Sequence, residues 1–247
     1  MSGDRERVGV IGVGRMGLPM VRHMIGHGYE VTACDINQDR LEQARDLGAR
    51  IAATPAALGA SSFVILGVGY DDEVKEVVLG TNGVLPALAA GSVIAVSATV
   101  APDTVRALDA AARAKGCDVL DAPICRGRWF ADEGRLLALF GGRAETVARG
   151  RAVYSCFASD ICHLGEVGHG QVAKALNNLL LWVTSIGLIE AGRIAEATGI
   201  DLPRLREALM MSSAKSQALE DWEQTSFTWA LKDMQIVSAM ADQAGLA

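Results

Sequence analysis

Apolar positions follow two regimes along the chain. As far as about residue 164, short apolar runs alternate with helix-like segments: RVGVIG, EVTACD, ARIAA, FVILGV, SVIAVS, CDVLDAP, LLALFGG and ICHLG are the runs. Most are separated by Ala- and charge-rich stretches of helical period, such as DRLEQARDLG and PDTVRALDAAARAKG. Strand and helix in repetition predict a mainly parallel sheet covered on both faces. Beyond LGEVG the pattern turns to long helical periods without a convincing strand, and TGIDLP signals a turn between two helices. The expected organisation is a Rossmann-like, doubly wound α/β domain over 1–164 followed by an all-α domain over 165–247 that begins with a long helix. The last periodic stretch, WALKDMQIVSAMADQAGLA, stops without a cap or tail. The helical part is therefore expected to look short, and to lack further helices or complete its core against a partner.

Composition narrows the class. The 247 residues are 50% hydrophobic and 21% charged, as in a soluble globular protein with ample chain for a core. A net charge of -6, with Lys and Arg scattered, argues against nucleic acid as a partner. The N-terminus is polar and then strand-like, unlike a signal peptide. The most apolar helical stretch, 175–191, carries Asn177, Asn178 and Glu190 and reads as too interrupted to span a bilayer. Five cysteines without CxxC spacing suggest reduced thiols and a cytoplasmic protein. Cys156, Cys162, His163 and His169 lack finger-like spacing, so no metal site is expected.

The first candidate chemistry is VGVIGVGRMGLPMVRHMIGHGYEVTACD. A strand leads into Gly12, Val13, Gly14, Arg15, Met16 and Gly17; a helix pattern follows, then a second strand ending in Asp35. Gly12 permits a tight turn, Gly14 admits a pyrophosphate to the backbone, and Gly17 lets helix and strand pack closely. The helix N-terminus offers free N–H groups to the phosphates. An acid at the end of the second strand suits ribose hydroxyls and repels a 2′-phosphate. INQD, which follows, holds no arginine, and Arg40 lies further along the next helix, so NAD is preferred to NADP.

GHGQVAKALNNLLLWVTSIGLIEAG raises a second question, since a lysine sits early in a largely apolar helix. Gln171, Lys174, Asn178, Leu181 and Ser185 fall near one stripe; Val172, Leu176, Leu179, Leu180, Val183 and Ile186 fall opposite. One reading is a solvated polar edge on a packed helix. The other is catalytic. A helix leaving the nucleotide domain borders the nicotinamide, and a lysine with a pKa lowered by burial and a nearby cation takes the hydroxyl proton during hydride transfer. With a dinucleotide site upstream the catalytic reading of Lys174 is preferred, and Asn178 would hold the same oxygen or orient the amine.

Four segments, in order, carry a family resemblance: GVIGVGRMGLPMVRHM, DAPICRGRWFADEGRLLALFGG, GHGQVAKALNN and LKDM. Together they make the chain resemble the β-hydroxyacid dehydrogenases, the group that includes 3-hydroxyisobutyrate dehydrogenase and, more distantly, 6-phosphogluconate dehydrogenase. The resemblance implies a Rossmann-like domain joined by a long helix to an all-α domain, with subunits associating through the helical part as a homodimer or homotetramer. It implies Lys174 and Asn178 as catalytic residues, Lys232 near nicotinamide and substrate, and Val68, Gly69 and Thr99 along the cofactor. The substrate loop in such proteins reads Asp-Ala-Pro-x-Ser-Gly-Gly, and its serine and glycines grip a carboxylate. Here Cys125, Arg126 and Gly127 stand in its place. A thiol is a poor donor, and Arg126 would compensate by a bidentate grip on an anion, unless it points into water. Trp129 and Phe130 would wall the pocket or simply pack.

The function expected is NAD-dependent hydride transfer between nicotinamide and a small anionic 3-hydroxy acid, with neither nucleic acid nor membrane as partner. An inactive dinucleotide-binding module of the same fold is the alternative. An imine reductase is a weaker one, because its proton donor is usually Asp or Tyr.

Overall fold

A computed structural model describes residues 6–246. The first strand, β1 (Arg7–Ile11), leads into α1 (Gly17–Gly26), β2 (Glu30–Cys34), α2 (Gln38–Asp46), β3 (Arg50–Ile51) and β4 (Phe63–Leu66). Then come α3 (Asp71–Leu79), β5 (Val93–Val96), α4 (Pro102–Ala114) and β6 (Asp118–Asp121). These six strands form one wholly parallel sheet in the order β3-β2-β1-β4-β5-β6. All four residues of both β4 and β5 are buried. They read as unbroken apolar runs because helices cover both faces of the sheet.

Strand order reverses between β1 and β4, and a cleft opens beyond the carboxyl ends of strands at such a switch point. The segments that leave those two ends hold the candidate nucleotide residues. They are stitched together where the Gly67 N–H donates to the Ile11 carbonyl at 2.8 Å.

The remaining α/β elements are β7 (Ile124–Cys125), α5 (Gly127–Asp132), β8 (Leu136–Phe140), α6 (Ala144–Tyr154) and β9 (Ala158–His163). Their strands form a separate sheet in the order β7-β8-β9. The apolar run in LLALFGG thus lies between the other two, parallel to the run in ICHLG and antiparallel to β7. Pro123, lacking an N–H, stands where β6 ends and β7 begins. The Tyr154 ring packs edge-on to Phe63 and Phe140, and its buried hydroxyl shares a 2.5 Å hydrogen bond with Ser97.

The helical part contains α7 (His169–Ala197), α8 (Leu202–Met210), α9 (Gln217–Glu220) and α10 (Ala230–Gln243). Helix α7 stops at the turn that TGIDLP signals. Gly199 takes φ +76°, a left-handed conformation that glycine adopts without strain, and the Ile200 N–H folds back to the Ala195 carbonyl. By internal contacts the chain divides into units 1–174 and 175–247, so that Lys174 ends the first and Asn178 lies in the second.

Helix α7 turns its polar stripe inward. Gln171, Asn178 and Ser185, on the polar stripe, are buried, whereas Leu176 (48%), Leu180 (68%), Val183 (61%) and Ile186 (53%) of the opposite stripe are exposed. The solvated-edge reading fails because the polar groups find partners indoors: Gln171 bonds the backbone at Ala98 and Val100, and Asn178 bonds Asp233. The bilayer argument also needs correction, since α7 is long and apolar enough to cross a membrane by length and composition, with a mean hydropathy of 1.5. A polar stripe folded into the protein accounts for its apolar exterior.

Candidate active site

The glycine turn has the shape its spacing predicts. Gly12 takes φ +90°, and a β-carbon there would approach the Gly67 carbonyl to 2.8 Å. A β-carbon on Gly17 would collide with the Gly12 carbonyl oxygen. Backbone is therefore packed against backbone at both positions, the close approach that a glycine turn permits a pyrophosphate to share. The Asp35 carboxylate closes the turn, taking the Val13 N–H on Oδ2 at 2.8 Å and the Asn37 N–H on Oδ1 at 2.9 Å. Met16 is half-buried ahead of α1, and Arg15 is exposed.

Arg40 corrects the reading that left it out of the site. It lies in the first turn of α2, and its Nη1 is 3.9 Å from Asp35 Oδ2. The same atom is 3.2 Å from where a β-carbon on Gly14 would stand. Acid and arginine thus meet beside the glycine turn. Val68 and Gly69 follow β4, where the Gly69 N–H donates to Glu73 Oε2 at 2.7 Å. Thr99 lies between two backbone groups held by one side chain: Gln171 Nε2 donates to the Ala98 carbonyl at 2.9 Å, and Gln171 Oε1 accepts the Val100 N–H at 3.1 Å.

In the same unit the substrate-loop residue Cys125, at the end of β7, is buried. Lys174 Nζ donates to its sulfur at 3.7 Å. The lysine is therefore turned inward onto the loop rather than into bulk water. Arg126 has one guanidinium nitrogen taken up by neighbouring groups. Its Nη1 is engaged by Asp160 Oδ2 at 2.7 Å, Ser159 Oγ at 3.0 Å and the Arg135 carbonyl at 2.9 Å. Hydrogen bonds from Ser159 and then Arg126 hold the Asp160 carboxyl below its ordinary range. Residue 126 has φ +87° and Gly127 +75°, so the backbone here turns in a left-handed conformation. Trp129 is exposed, and the Arg126 and Arg135 guanidinium carbons lie 5.8 and 5.5 Å from the Phe130 ring centre.

The helical unit contributes a second cluster. Asn178 Nδ2 donates to Asp233 Oδ2 at 2.8 Å, the Trp182 indole N–H donates to the same oxygen at 3.0 Å, and Asn177 Nδ2 donates to Asn178 Oδ1 at 2.9 Å. Lys232 Nζ lies 4.0 Å from Asp233 Oδ1 and 5.2 Å from the Trp229 ring centre. Asp233 and Trp182 were missed as site residues by sequence reasoning. LKDM contained the acid, but nothing in its spacing links it to Asn178, 55 positions away. Asp121 was passed over too. It ends β6, is fully buried, and burial pushes its carboxyl up to about 7 against the opposing pull of the Gln171 and Gly168 N–H groups.

Comparison with known proteins decides the family. Residues 7–165 match the NAD binding domain of 6-phosphogluconate dehydrogenase, and residues 168–247 match the NAD-binding family of NADP-dependent 3-hydroxyisobutyrate dehydrogenase. The chain belongs to the β-hydroxyacid dehydrogenase family. Members of this family are NAD(P)-dependent oxidoreductases, and the glycine cradle fits such a dinucleotide. The chain is 33% identical over 216 residues to a Pseudomonas aeruginosa NAD-dependent L-serine dehydrogenase, covering 87% of this chain and 72% of that protein. It is 32% identical over 213 residues to mouse mitochondrial 3-hydroxyisobutyrate dehydrogenase, covering 86% of this chain but 64% of the mouse protein. Mycobacterium tuberculosis 3-hydroxyisobutyrate dehydrogenase, solved with L-serine, superposes with a TM-score of 0.86 at 25% identity, over 98% of this chain and 89% of that one. The chain thus spans less than two thirds of the mammalian enzyme's length.

Proposed function

We propose that this member of the family oxidises the hydroxyl of a small 3-hydroxy acid with NAD, and reduces the corresponding semialdehyde in reverse. The observation that carries the reading is Lys174 Nζ turned onto the substrate loop at Cys125, in the unit that holds the glycine turn. Bound nicotinamide supplies the hydride acceptor. Lys174 Nζ takes the hydroxyl proton as hydride leaves the carbinol carbon, and returns that proton in reduction. Asn178 follows one turn later on α7, its amide oriented by Asp233 and Asn177, and is assigned to the substrate oxygen. Lys232 is assigned to the cofactor and substrate, as the family motif implies. With Arg126 tied to Asp160, a substrate carboxylate is left to the backbone N–H groups of the 125–127 loop.

The relatives' substrates, L-serine and 3-hydroxyisobutyrate, are the first to test, each with NAD and with NADP and with NADH formation as the readout. Turnover with NAD is expected. Asp35→Ser should raise NADP use about tenfold by removing a charge facing the 2′-position, and Arg40→Ala should lower it. Reduction of cyclic imines by NADPH without oxidation of any hydroxy acid would replace this reading, and nucleotide binding without turnover of either kind would make the chain an inactive module.

The exposed stripe of Leu176, Leu180, Val183 and Ile186 supports self-association through the helical part. Covering a contiguous apolar face contributes about 25 cal/mol for each Å² removed from water. Light scattering should give a dimer or tetramer, and Leu180→Glu with Val183→Glu should shift it to monomer. A wild-type monomer at micromolar concentration would refute the association.

A further inference from the structure

We infer that Asp121 is a positioning residue for this reaction, a buried carboxylate that seats the first turn of α7 and so sets where Lys174 and Thr99 are presented. The inference rests on Lys174 as the proton carrier. Asp121 Oδ2 accepts the Gly168 N–H at 2.9 Å and the Gln171 N–H at 3.0 Å, both at the start of α7. Those N–H groups have no partner one turn back inside the helix, so an oxygen aimed at them fixes both the start of the helix and its rotation. Gln171 is the next link. Its backbone is held by Asp121 while its side chain clamps the Ala98 carbonyl and the Val100 N–H on either side of Thr99. Lys174 follows three residues after Gln171, nearly a full helical turn, so a rotation at the carboxylate carries directly into Nζ.

The fit is close. A β-carbon on Gly170 would lie 2.9 Å from the Asp121 carboxyl carbon, so the helix backbone rests directly against that group. Asp121 is also paired with Gly141 through reciprocal backbone hydrogen bonds of 3.0 and 2.8 Å. One residue therefore joins the end of the six-stranded sheet, the segment after β8 and the start of α7. Its second oxygen, Oδ1, is buried without a hydrogen-bond partner among the described residues.

The test compares Asp121→Asn, which keeps one oxygen for the two N–H groups, with Asp121→Ala, which keeps none. Lys174→Ala runs beside them. Each is assayed for turnover of L-serine and 3-hydroxyisobutyrate with NAD, for NADH binding by fluorescence, and for amide exchange over 168–174. Asp121→Ala is expected to lose at least about tenfold in kcat with NADH affinity within about threefold, and its 168–174 amides to exchange faster. Asp121→Asn is expected to restore both. Wild-type exchange in the alanine variant overturns the seating, and kcat unchanged in the alanine variant overturns the positioning role. If the alanine variant does not fold, an asparagine variant with wild-type exchange and kcat supports the seating by an uncharged oxygen, and one with faster exchange overturns it. Full activity of Lys174→Ala would instead remove the proton-carrier reading, while the exchange data would still report on the seating alone.

Discussion

Lys174→Ala is expected to lower kcat by roughly 10²- to 10⁴-fold, the usual worth of a positioned proton carrier. Its NADH affinity should stay within about threefold of wild type, because the lysine faces Cys125 while the cofactor cradle is built by Gly12, Gly17 and Asp35. Two further variants separate charge from proton transfer. Lys174→Arg keeps the cation but cannot give up its proton at working pH, so it should not restore the rate. Lys174→Met keeps the aliphatic stem and should behave like alanine. Cys125→Ser should remain active, since it supplies a better hydrogen-bond donor and acceptor to Nζ at the same place. Lys174→Ala with more than about a tenth of wild-type kcat would end the assignment.

Asp121→Asn is expected to change the pH dependence of stability in the direction opposite to ordinary carboxylates. Burial raises this carboxyl from 3.8 to about 7, so between those values the folded protein holds a proton that the unfolded chain has released. Its contribution is fully present below the unfolded value and is lost as pH rises through about 7. The gap corresponds to about 4 kcal/mol. The titratable group coupled to it from α6 is Tyr154, whose phenol burial pushes upward, so it stays neutral throughout the range. Asparagine resembles the protonated acid at every pH. The variant should match wild type near pH 4 and become progressively more stable than it toward pH 8. Glu6, held low by its Arg149 and Ser62 bonds in opposition to its burial, titrates alike in both proteins and cancels from the comparison. Parallel stability curves for the two proteins over that range would show that Asp121 does not hold its proton as described.

Much of this architecture is written locally. VGVI, FVIL and VIAV carry no polar side chain at a buried position because parallel strands covered on both faces have no wet side, and they fold into β1, β4 and β5. Gly12 and Gly17 stand where backbone meets backbone, and their spacing alone announces the turn. Lys174 and Asn178 share one helical motif, so their placement on one helix is legible locally.

Other features depend on contacts distant in sequence. The direction in which α7 turns its polar stripe was not readable from periodicity, because a stripe of Gln171, Asn178 and Ser185 suits water as well as an interior that offers partners. Ala98, Val100 and Asp233 are those partners. Arg40 reached the glycine turn through the folding of α2 against it, and Arg126 was drawn off by Asp160, 34 residues later. Asp121 opens the DAPICRG segment, and nothing local shows that the start of α7, 47 positions on, brings its N–H groups to the carboxylate. Hydrophobic period and glycine spacing act within one element, so the chain alone determined the strands, the cradle and the lysine-bearing helix. A hydrogen bond needs a partner within about 3 Å, and only the tertiary structure decides which distant residue supplies it.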